Sequence, residues 1–470
     1  ALILIFSLKN EESQERLFDK VKRIMKIPVL LLGSFAILYK GYWSEAPIKE
    51  SKNIEYAWQD TFQKYGYAAC SIDLIEQALA GIQEPAGYSI QEVEEIIAQI
   101  EAEENSSTAV RPDIILILNE SFFDLRQVNS NIEVNQEYLK NWDTLTNTVR
   151  GYAVVPLIGG GTNCSEYELL TSNSLQIMPG ITPFYVLDME NANSIVSVLK
   201  QQGYYTLAAH SEWCNSYNRL KCYTDMGFDI THFDEDFQNR EFYGNRIWYE
   251  TDSCLYENLI SWYSQMPEEN PRFLYLLTIQ NHGDWNINDS ADDTVNVQND
   301  FGEFTEFMDE YLSCIQRSDE AFADLIEYFS SVDRPVIVCM VGDHAPYFAA
   351  NIIDEAYTEE EKNIRLRGTP FLIWSNIERE EQNEGYISMN YLIPTLLENA
   401  GVQLSPYYKY MLTLKKQIPI ISSYGKYYDS NWTEYDYTDM ANAITQVRDY
   451  FFLEYNNLNP SERIQAAFNP

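Results

Sequence analysis

From residue 111 onward the chain alternates between short, continuous apolar runs and longer stretches with helix-spaced apolar positions. Residues 113–118 read Asp-Ile-Ile-Leu-Ile-Leu. A strand whose two faces are both covered shows no polar alternation, so an unbroken apolar run of this length marks a parallel sheet held between helical layers. The alternation then repeats. Helix-like residues 194–202 precede strand-like 204–209, 253–265 precede 273–278, and 307–329 precede 335–341. A last apolar strand over 370–374 and a helix over 389–400 complete the pattern. Alternation sustained over about 300 residues predicts one doubly wound α/β domain, placed here at residues 111–405.

The flanks differ from this core. Residues 1–43 combine an apolar start, a basic stretch over 9–26, and a segment, 24–43, with an apolar centre over 27–39 and Tyr42 and Trp43 at its far end. At about 1.5 Å per residue such a segment spans a bilayer core of about 30 Å. The basic stretch then belongs on the cytoplasmic side and everything after Trp43 outside the cell membrane. Residues 1–43 are therefore expected to be a cytoplasmic loop and transmembrane segment ending a longer membrane domain. Residues 44–110 form a helical connector, with the turn Pro85-Ala86-Gly87-Tyr88-Ser89 leading into an acidic amphipathic helix over 90–102. Residues 406–470 form an aromatic-rich extension whose amphipathic stretch, 440–455, packs back on the domain.

A net charge of −39 excludes nucleic acid as a partner, because its phosphates would be repelled. An anionic substrate must instead reach a local pocket of positive charge or a metal ion. Seven cysteines (70, 164, 214, 222, 254, 314, 339) form no CxxC pair and thus no zinc ribbon. Cys214 and Cys222 are close enough in sequence to pair across a loop, and the odd total leaves at least one thiol free.

In doubly wound sheets, functional groups collect just beyond the carboxyl ends of the strands. The first predicted strand runs into Asn119-Glu120-Ser121-Phe122, the third ends at His210, and later ones run into Gln280-Asn281-His282-Gly283 and Gly342-Asp343-His344. Of four histidines in the chain, three follow predicted strands. An apolar run over 152–158 leads into Gly159-Gly160-Gly161-Thr162-Asn163-Cys164-Ser165-Glu166, ahead of a helix expected over 165–172. Three glycines permit a sharp turn and close approach of a substrate, and a helix N-terminus favours an anion. Read alone, this stretch is equally a turn with Thr162 as helix cap. Glu120, Asp343 and His344 also have ordinary roles singly, as cap or turn residues. Together they form a carboxylate, carboxylate, imidazole set suited to Mn²⁺, Zn²⁺ or Mg²⁺. A metal ion beside Thr162 would lower the pKa of its hydroxyl and make it a nucleophile. Cys164 has no histidine as sequence neighbour and reads as a small buried residue.

These motifs, with Ser216-Tyr217-Asn218-Arg219 and Thr369-Pro370-Phe371-Leu372-Ile373-Trp374-Ser375, occur in an order that resembles the lipoteichoic acid synthase family. The resemblance covers about residues 20–420, including Lys64-Tyr65-Gly66-Tyr67 in the connector. Those proteins are membrane-anchored phosphoglycerol transferases with an alkaline-phosphatase/sulfatase-like extracellular domain. The resemblance implies that Glu120, Thr162, Asp343 and His344 hold one divalent metal, typically Mn²⁺, with Thr162 as nucleophile. It implies that Arg219 and His282 bind the phosphoglycerol head and assist catalysis, that Tyr217 lines the pocket where the best-known members carry Trp, and that His210 supports it from behind. The donor would be phosphatidylglycerol or a related phospholipid. The acceptor would be a glycerol phosphate polymer or a glycolipid. One departure is plain: many members carry Gly-Lys-Thr-Ser where this chain has Gly-Gly-Thr162-Asn163. A phosphoethanolamine transferase or sulfatase-type hydrolase uses the same scaffold, although no Cys-x-Pro-x-Arg nucleophile motif is present. A catalytically silent wall-binding or lipid-binding domain is the remaining reading.

Overall fold

The computed structural model describes residues 82, 84–101, 111–178, 182–190, 192–289, 291–421, 425–436 and 444–470. The expected transmembrane segment and most of the connector lie outside these residues. Among the described residues, no helix is long and apolar enough to cross a membrane.

Eight strands form the central sheet: β1 (Asp113–Asn119), β2 (Thr148–Val154), β3 (Tyr205–His210), β4 (Ile230–His232), β5 (Arg272–Leu277), β6 (Val336–Gly342), β7 (Gly368–Ser375) and β8 (Gln382–Ser388). Their spatial order is β4-β3-β5-β1-β6-β7-β2-β8. The main helices are α1 (Ile90–Glu101), α2 (Thr162–Thr171), α3 (Ile195–Gln201), α4 (Arg219–Met226), α5 (Asp252–Gln265), α6 (Thr305–Ser330), α7 (Leu392–Asn399), α8 (Pro406–Gln417) and α9 (Thr445–Leu458).

Strand β1 is buried along its whole length, and its side chains divide with the period of two that a strand imposes. Ile114, Leu116 and Leu118 join one core with Leu169 of α2, Leu396 of α7 and Phe451 of α9. Ile115 and Ile117 join the other core with Leu255 of α5 and Phe322 of α6. Helices therefore cover both faces, as the apolar run requires.

The sheet is mixed, not purely parallel. Strand β1 pairs in parallel with β5 and β6, and β3 in parallel with β4 and β5. Strand β7, however, runs antiparallel to both β6 and β2. Because β7 reverses direction between them, β2 points the same way as β6 and β1. The carboxyl ends of β1, β2, β3, β5 and β6 thus share one edge, where Asn119 lies opposite Gly342 and His210 opposite Leu277.

Two element boundaries differ from the sequence reading. Strand β2 ends at Val154, so residues 155–161 are loop, and α2 begins at Thr162 instead of residue 165. The amphipathic C-terminal stretch becomes helix α9, starting at Thr445. It packs against the turn before α1: Tyr88 meets Tyr455 and Phe452 with ring centroids 4.7 and 5.9 Å apart. A small antiparallel sheet, β9 (Ile420–Ile421), β10 (Lys426–Tyr428) and β11 (Glu434–Asp436), precedes it. Cys214 and Cys222 are both free thiols, so the loop-closing pair does not form. Cys222 instead turns its sulfur towards the Phe184 carbonyl at 3.5 Å.

Candidate active site

The register of β1 on β6 brings the residues after each strand side by side. Ser121, directly after Glu120, sits in the left-handed region with φ of 50°, a conformation that costs a non-glycine residue energy and persists only when its surroundings over-determine it. Its surroundings do so. The Ser121 amide donates to Asp343 Oδ1 at 2.7 Å, its hydroxyl donates to Glu120 Oε1 at 3.0 Å, and Tyr311 donates to its carbonyl at 2.8 Å. Gly342 is needed opposite: a Cβ there would lie 1.9 Å from the Phe122 carbonyl oxygen. Only glycine lets the turn after β1 cross the end of β6.

Glu120, Asp343 and His344 are all buried, and one ligand atom from each lies within 4.8 Å of the others. The His344 Nδ1 faces the Ala345 carbonyl at 3.0 Å, and a carbonyl only accepts, so Nδ1 carries the proton. The Nε2 lone pair is left pointing at carboxylates, 3.2 Å from Asp343 Oδ2 and 3.5 Å from Glu120 Oε1. Asp343 Oδ2 is buried and accepts no hydrogen bond. Converging lone pairs and an orphaned buried carboxylate oxygen are costly unless a cation sits among them. The donor set fits a divalent metal ion. The electrostatics carry the same tension. Burial and the Glu120 charge push Asp343 above the ordinary carboxyl range. Burial alone would also raise Glu120, but His282, His344 and the Ser121 and Thr162 hydroxyls outweigh it and hold Glu120 low.

Thr162 opens α2 at this same edge. Its hydroxyl donates to Glu120 Oε2 at 3.2 Å. The preceding loop is pinned to the Asp343-His344 turn by Gly159 N donating to Ala345 O at 3.0 Å, and the first turn of α2 by Ser165 Oγ donating to Asp343 O at 2.6 Å. Gly159, Gly160 and Gly161 all adopt positive φ. With Gly161 at the N-cap and no side-chain cap, the first amides of α2 remain open to an anion. Thr162 is therefore the first residue of the helix and not its cap. Cys164 is buried and its thiol is pushed well up by burial and by Glu168, so it does not compete as a nucleophile.

Arg219 is buried at the start of α4, where its Nε donates to Glu166 Oε2 at 3.0 Å. Glu166 also accepts from Tyr223 and, at 3.2 Å, from Tyr275. Arg219 Nη1 is buried with no hydrogen-bond partner, a guanidinium donor held ready for an anion. Tyr217 lies over this guanidinium at 5.0 Å. His210 is buried at the end of β3, its Nδ1 donating to the Leu277 carbonyl at 3.1 Å. Its Nε2 faces Glu212 Oε2 at 3.6 Å, and that contact leads the causes that hold Glu212 down at about 2.

His282 is exposed, with Nδ1 donating to the Gly283 carbonyl at 2.6 Å and its ring stacked on Tyr249 at 5.1 Å. Desolvation pulls its imidazole down, but Glu120, the Gly283 carbonyl, Glu212 and Asp343 together hold it above the ordinary histidine value. The loop carrying it hangs on Arg246, a fully buried side chain that donates to the carbonyls of Gln280, His282 and, at 2.8 Å, Asp284. Arg246 is neutralised by Glu310 of α6 at 2.6 Å. His232, the fourth histidine, lies apart on edge strand β4, stacked on Trp262.

The sulfatase family model matches residues 112–402. The chain belongs to the sulfatase family. Among relatives, it is 24% identical over 472 residues to a protein of Rhizobium meliloti (strain 1021) named "Putative cyclic beta-1,2-glucan modification protein", covering 97% of this chain and 71% of that one. Among solved structures, it is similar to the phosphoglycerol transferase GacH of Streptococcus pyogenes in complex with sn-glycerol-1-phosphate, with a TM-score of 0.63, 20% identity, and coverage of 83% of this chain and 99% of that one. It is also similar to the lipoteichoic acid synthase LtaP of Listeria monocytogenes, with a TM-score of 0.55, 17% identity, and coverage of 78% and 97%. These structural likenesses establish a shared fold.

The structure gathers Glu120, Thr162, Asp343 and His344 at the sheet edge, and sets His210 at the end of β3, Tyr217 on the segment after it, Arg219 at the start of α4 and His282 on the loop after β5. Sequence reasoning missed three contributors. Glu166 stood inside the glycine-rich motif without a role until its pairing with Arg219 appeared. Glu212, two residues past a strand-end histidine, was legible in principle. Arg246 lies in a loop with no strand before it, and nothing local marked it.

Proposed function

We propose that this sulfatase-family protein is a metal-dependent phosphoglycerol transferase of the lipoteichoic acid synthase type. It would take glycerol phosphate from phosphatidylglycerol or a related phospholipid and pass it to a hydroxyl of a glycolipid or polymer. The observation that carries this reading is the hydroxyl of Thr162, at an open helix N-terminus, hydrogen-bonded to one member of a buried metal-binding triad. Glu120, Asp343 and His344, with Thr162, would hold the ion, for which Mn²⁺ is the first choice and Mg²⁺ or Zn²⁺ remain compatible with the donors. When bound, it supplies Lewis-acid stabilisation of phosphoryl oxygens and a lower pKa for a coordinated hydroxyl.

The protein's own groups do the rest. Thr162 Oγ1 attacks phosphorus and forms the new P–O bond as its proton passes towards Glu120 Oε2, the acceptor it already faces. The bond from phosphorus to the diacylglycerol oxygen breaks, and His282 protonates that leaving alkoxide. The α2 amides and Arg219 Nη1 hold the equatorial oxygens as charge grows on them. The acceptor hydroxyl oxygen then bonds to phosphorus as its proton returns to His282, the bond from phosphorus to Thr162 Oγ1 breaks, and Thr162 takes its proton back from Glu120. Tyr217, stacked on Arg219, would line the glycerol pocket, and His210, tied to Leu277 and Glu212, would support it. The name of the Rhizobium relative refers to a glucan, which favours a sugar hydroxyl as acceptor. Residues 24–43 would anchor the protein in the cell membrane with the site outside. The test is mass spectrometry after incubation with labelled phosphatidylglycerol and Mn²⁺. An adduct of one glycerophosphoryl group on Thr162 is expected, and full turnover by Thr162→Ala would sink the mechanism.

A further inference from the structure

The largest exposed aromatic side chains near the site sit on the two loops that flank it. Trp213 is 67% exposed and follows Glu212, whose carboxylate faces His210. Trp248 is 78% exposed and precedes Tyr249, whose ring stacks on His282. Tyr185, 62% exposed, lies 6.2 Å from Tyr217. A tryptophan left this open on a water-facing rim is unusual, since burying an indole is among the larger gains available to a chain. Large aromatics of this kind are the anchors by which a surface holds a partner.

Charge decides what kind of partner. Between residues 182 and 250 the described chain holds five lysines and arginines, and every one is already paired. Lys200 pairs with Asp229, Arg219 with Glu166, Lys221 with Asp225, Arg240 with Asp234 and Glu250, and Arg246 with Glu310. Arg219 Nη1, buried and facing the phosphate site, is the one donor left over, so the exposed rim offers no cation to a polyanionic acceptor chain, and the chain's charge of −39 disfavours one. What it offers is flat aromatic faces and an ionised, part-exposed carboxylate, Glu212, beside one of them. The weakly positive C–H face of a pyranose packs on the electron-rich face of an indole, and a carboxylate accepts hydrogen bonds from sugar hydroxyls.

We propose that Trp213, Glu212 and Trp248 form a docking surface for a neutral glycan, which the site uses as its acceptor. The glycan lies across the two indoles with Glu212 accepting from its hydroxyls, so that a further hydroxyl reaches the phosphorus held at Thr162. This rests on the transferase reading above and adds the acceptor's recognition to it.

The test separates the two. Full-length protein with Mn²⁺ is titrated with cyclic β-1,2-glucan, with polyglycerol phosphate and with phosphatidylglycerol vesicles, following tryptophan fluorescence and calorimetric heat. In parallel, adduct formation on Thr162 from labelled phosphatidylglycerol is timed. The double variant Trp213→Ala/Trp248→Ala, both positions being exposed, is expected to lose glucan affinity at least 10-fold. It should form the Thr162 adduct at the wild-type rate and lose transfer to glucan. Unchanged glucan affinity in the variant, absent glucan binding in the wild type, or a loss confined to vesicle binding or to polyglycerol phosphate overturns the glycan surface while the adduct still stands. Absence of the adduct from the wild type overturns the transferase reading, whatever the glucan titration shows.

Discussion

At the scale of single residues, the site is assembled by backbone positions that tolerate only one side chain. Gly159 adopts φ of 72°, and a Cβ there would lie 2.9 Å from the Tyr347 Cβ. Gly159→Ala would pay about 1–2 kcal/mol for the left-handed conformation and more for the collision, which relaxes only by shifting the Tyr347 turn beside His344. The expected outcome is a slower Thr162 adduct, by about 10-fold or more, with a lowered melting temperature, read by quenched-flow mass spectrometry and calorimetry. Glycines and strand-end acids are also what the sequence displayed best. Glu120, Thr162, Asp343 and His344 were legible because each falls within four residues after an apolar run, which placed them at one edge, and because together they make a set that none makes singly. Glu166 and Arg246 were not, because their roles are made by partners 53 and 64 positions away, Arg219 and Glu310. No local pattern encodes such pairings.

At the scale of elements, the loop after β5 is held by a buried ion pair with no part in the chemistry proposed. Among the described residues, Arg246 alone donates to the carbonyls of Gln280, His282 and Asp284 together. Arg246→Ala leaves Glu310 as a buried charge without its counter-ion, an error of about 3–5 kcal/mol. Glu310 Oε2 also accepts from the Ile287 and Asn288 amides at 2.8 and 3.0 Å, so the double variant Arg246→Met with Glu310→Gln, which removes the unpaired charge and keeps that acceptor, is expected to recover most of the lost melting temperature. Activity is expected to stay low, because the loop carrying His282 still lacks its donors. Full activity in that double variant would show that Arg246 matters for stability alone. The elements themselves were read well where burial is uniform. Strands β1, β3, β5, β6 and β7 and helices α3, α5 and α6 follow the sequence reading to within a residue or two. Strand β8 was missed because it is an edge strand with an exposed first half, and it carries polar residues and a glycine where an apolar run would be. The reversed direction of β7 was equally invisible, since an apolar run looks the same in either sense. Helix α8 was merged into the C-terminal extension because its tyrosines and lysines hide the apolar stripe.

At the scale of the whole molecule, α9 is joined to α2, the helix that Thr162 opens, through two buried carboxyls and one short turn. Glu168 of α2 accepts from the Leu175 amide at 2.8 Å, and Glu454 of α9 accepts from the Ser174 amide at 2.8 Å. Burial pushes Glu168 up to about 8 despite that amide, Arg367 and the Ser174 hydroxyl, and burial pushes Glu454 well above its ordinary value, with the Glu168 charge adding to it. Glu168 is then protonated in the folded protein at neutral pH, and Glu454 holds its proton to higher pH in the folded protein than in the unfolded chain, where both titrate near 4.5. The folded state binds more protons than the unfolded one across that interval, so stability must fall as pH rises. The contribution of Glu168 is complete below about pH 4.5 and is lost as pH passes through about 8, and that of Glu454 is lost in the same direction. Unfolding free energies measured by urea between about pH 5 and 9 are expected to decline by a few kcal/mol from this source. The general repulsion of a chain with net charge −39 changes in the same direction, so the wild-type slope alone does not isolate it. The variant Glu168→Gln/Glu454→Gln keeps an acceptor for each amide and removes both titrations. It should match the wild type near pH 5, exceed its stability near pH 8.5, and show the shallower slope. Parallel slopes for the two proteins would mean that the carboxyls do not carry protons into the fold, and the junction of α2 with α9 would then have to be held by the surrounding tyrosines and apolar contacts alone.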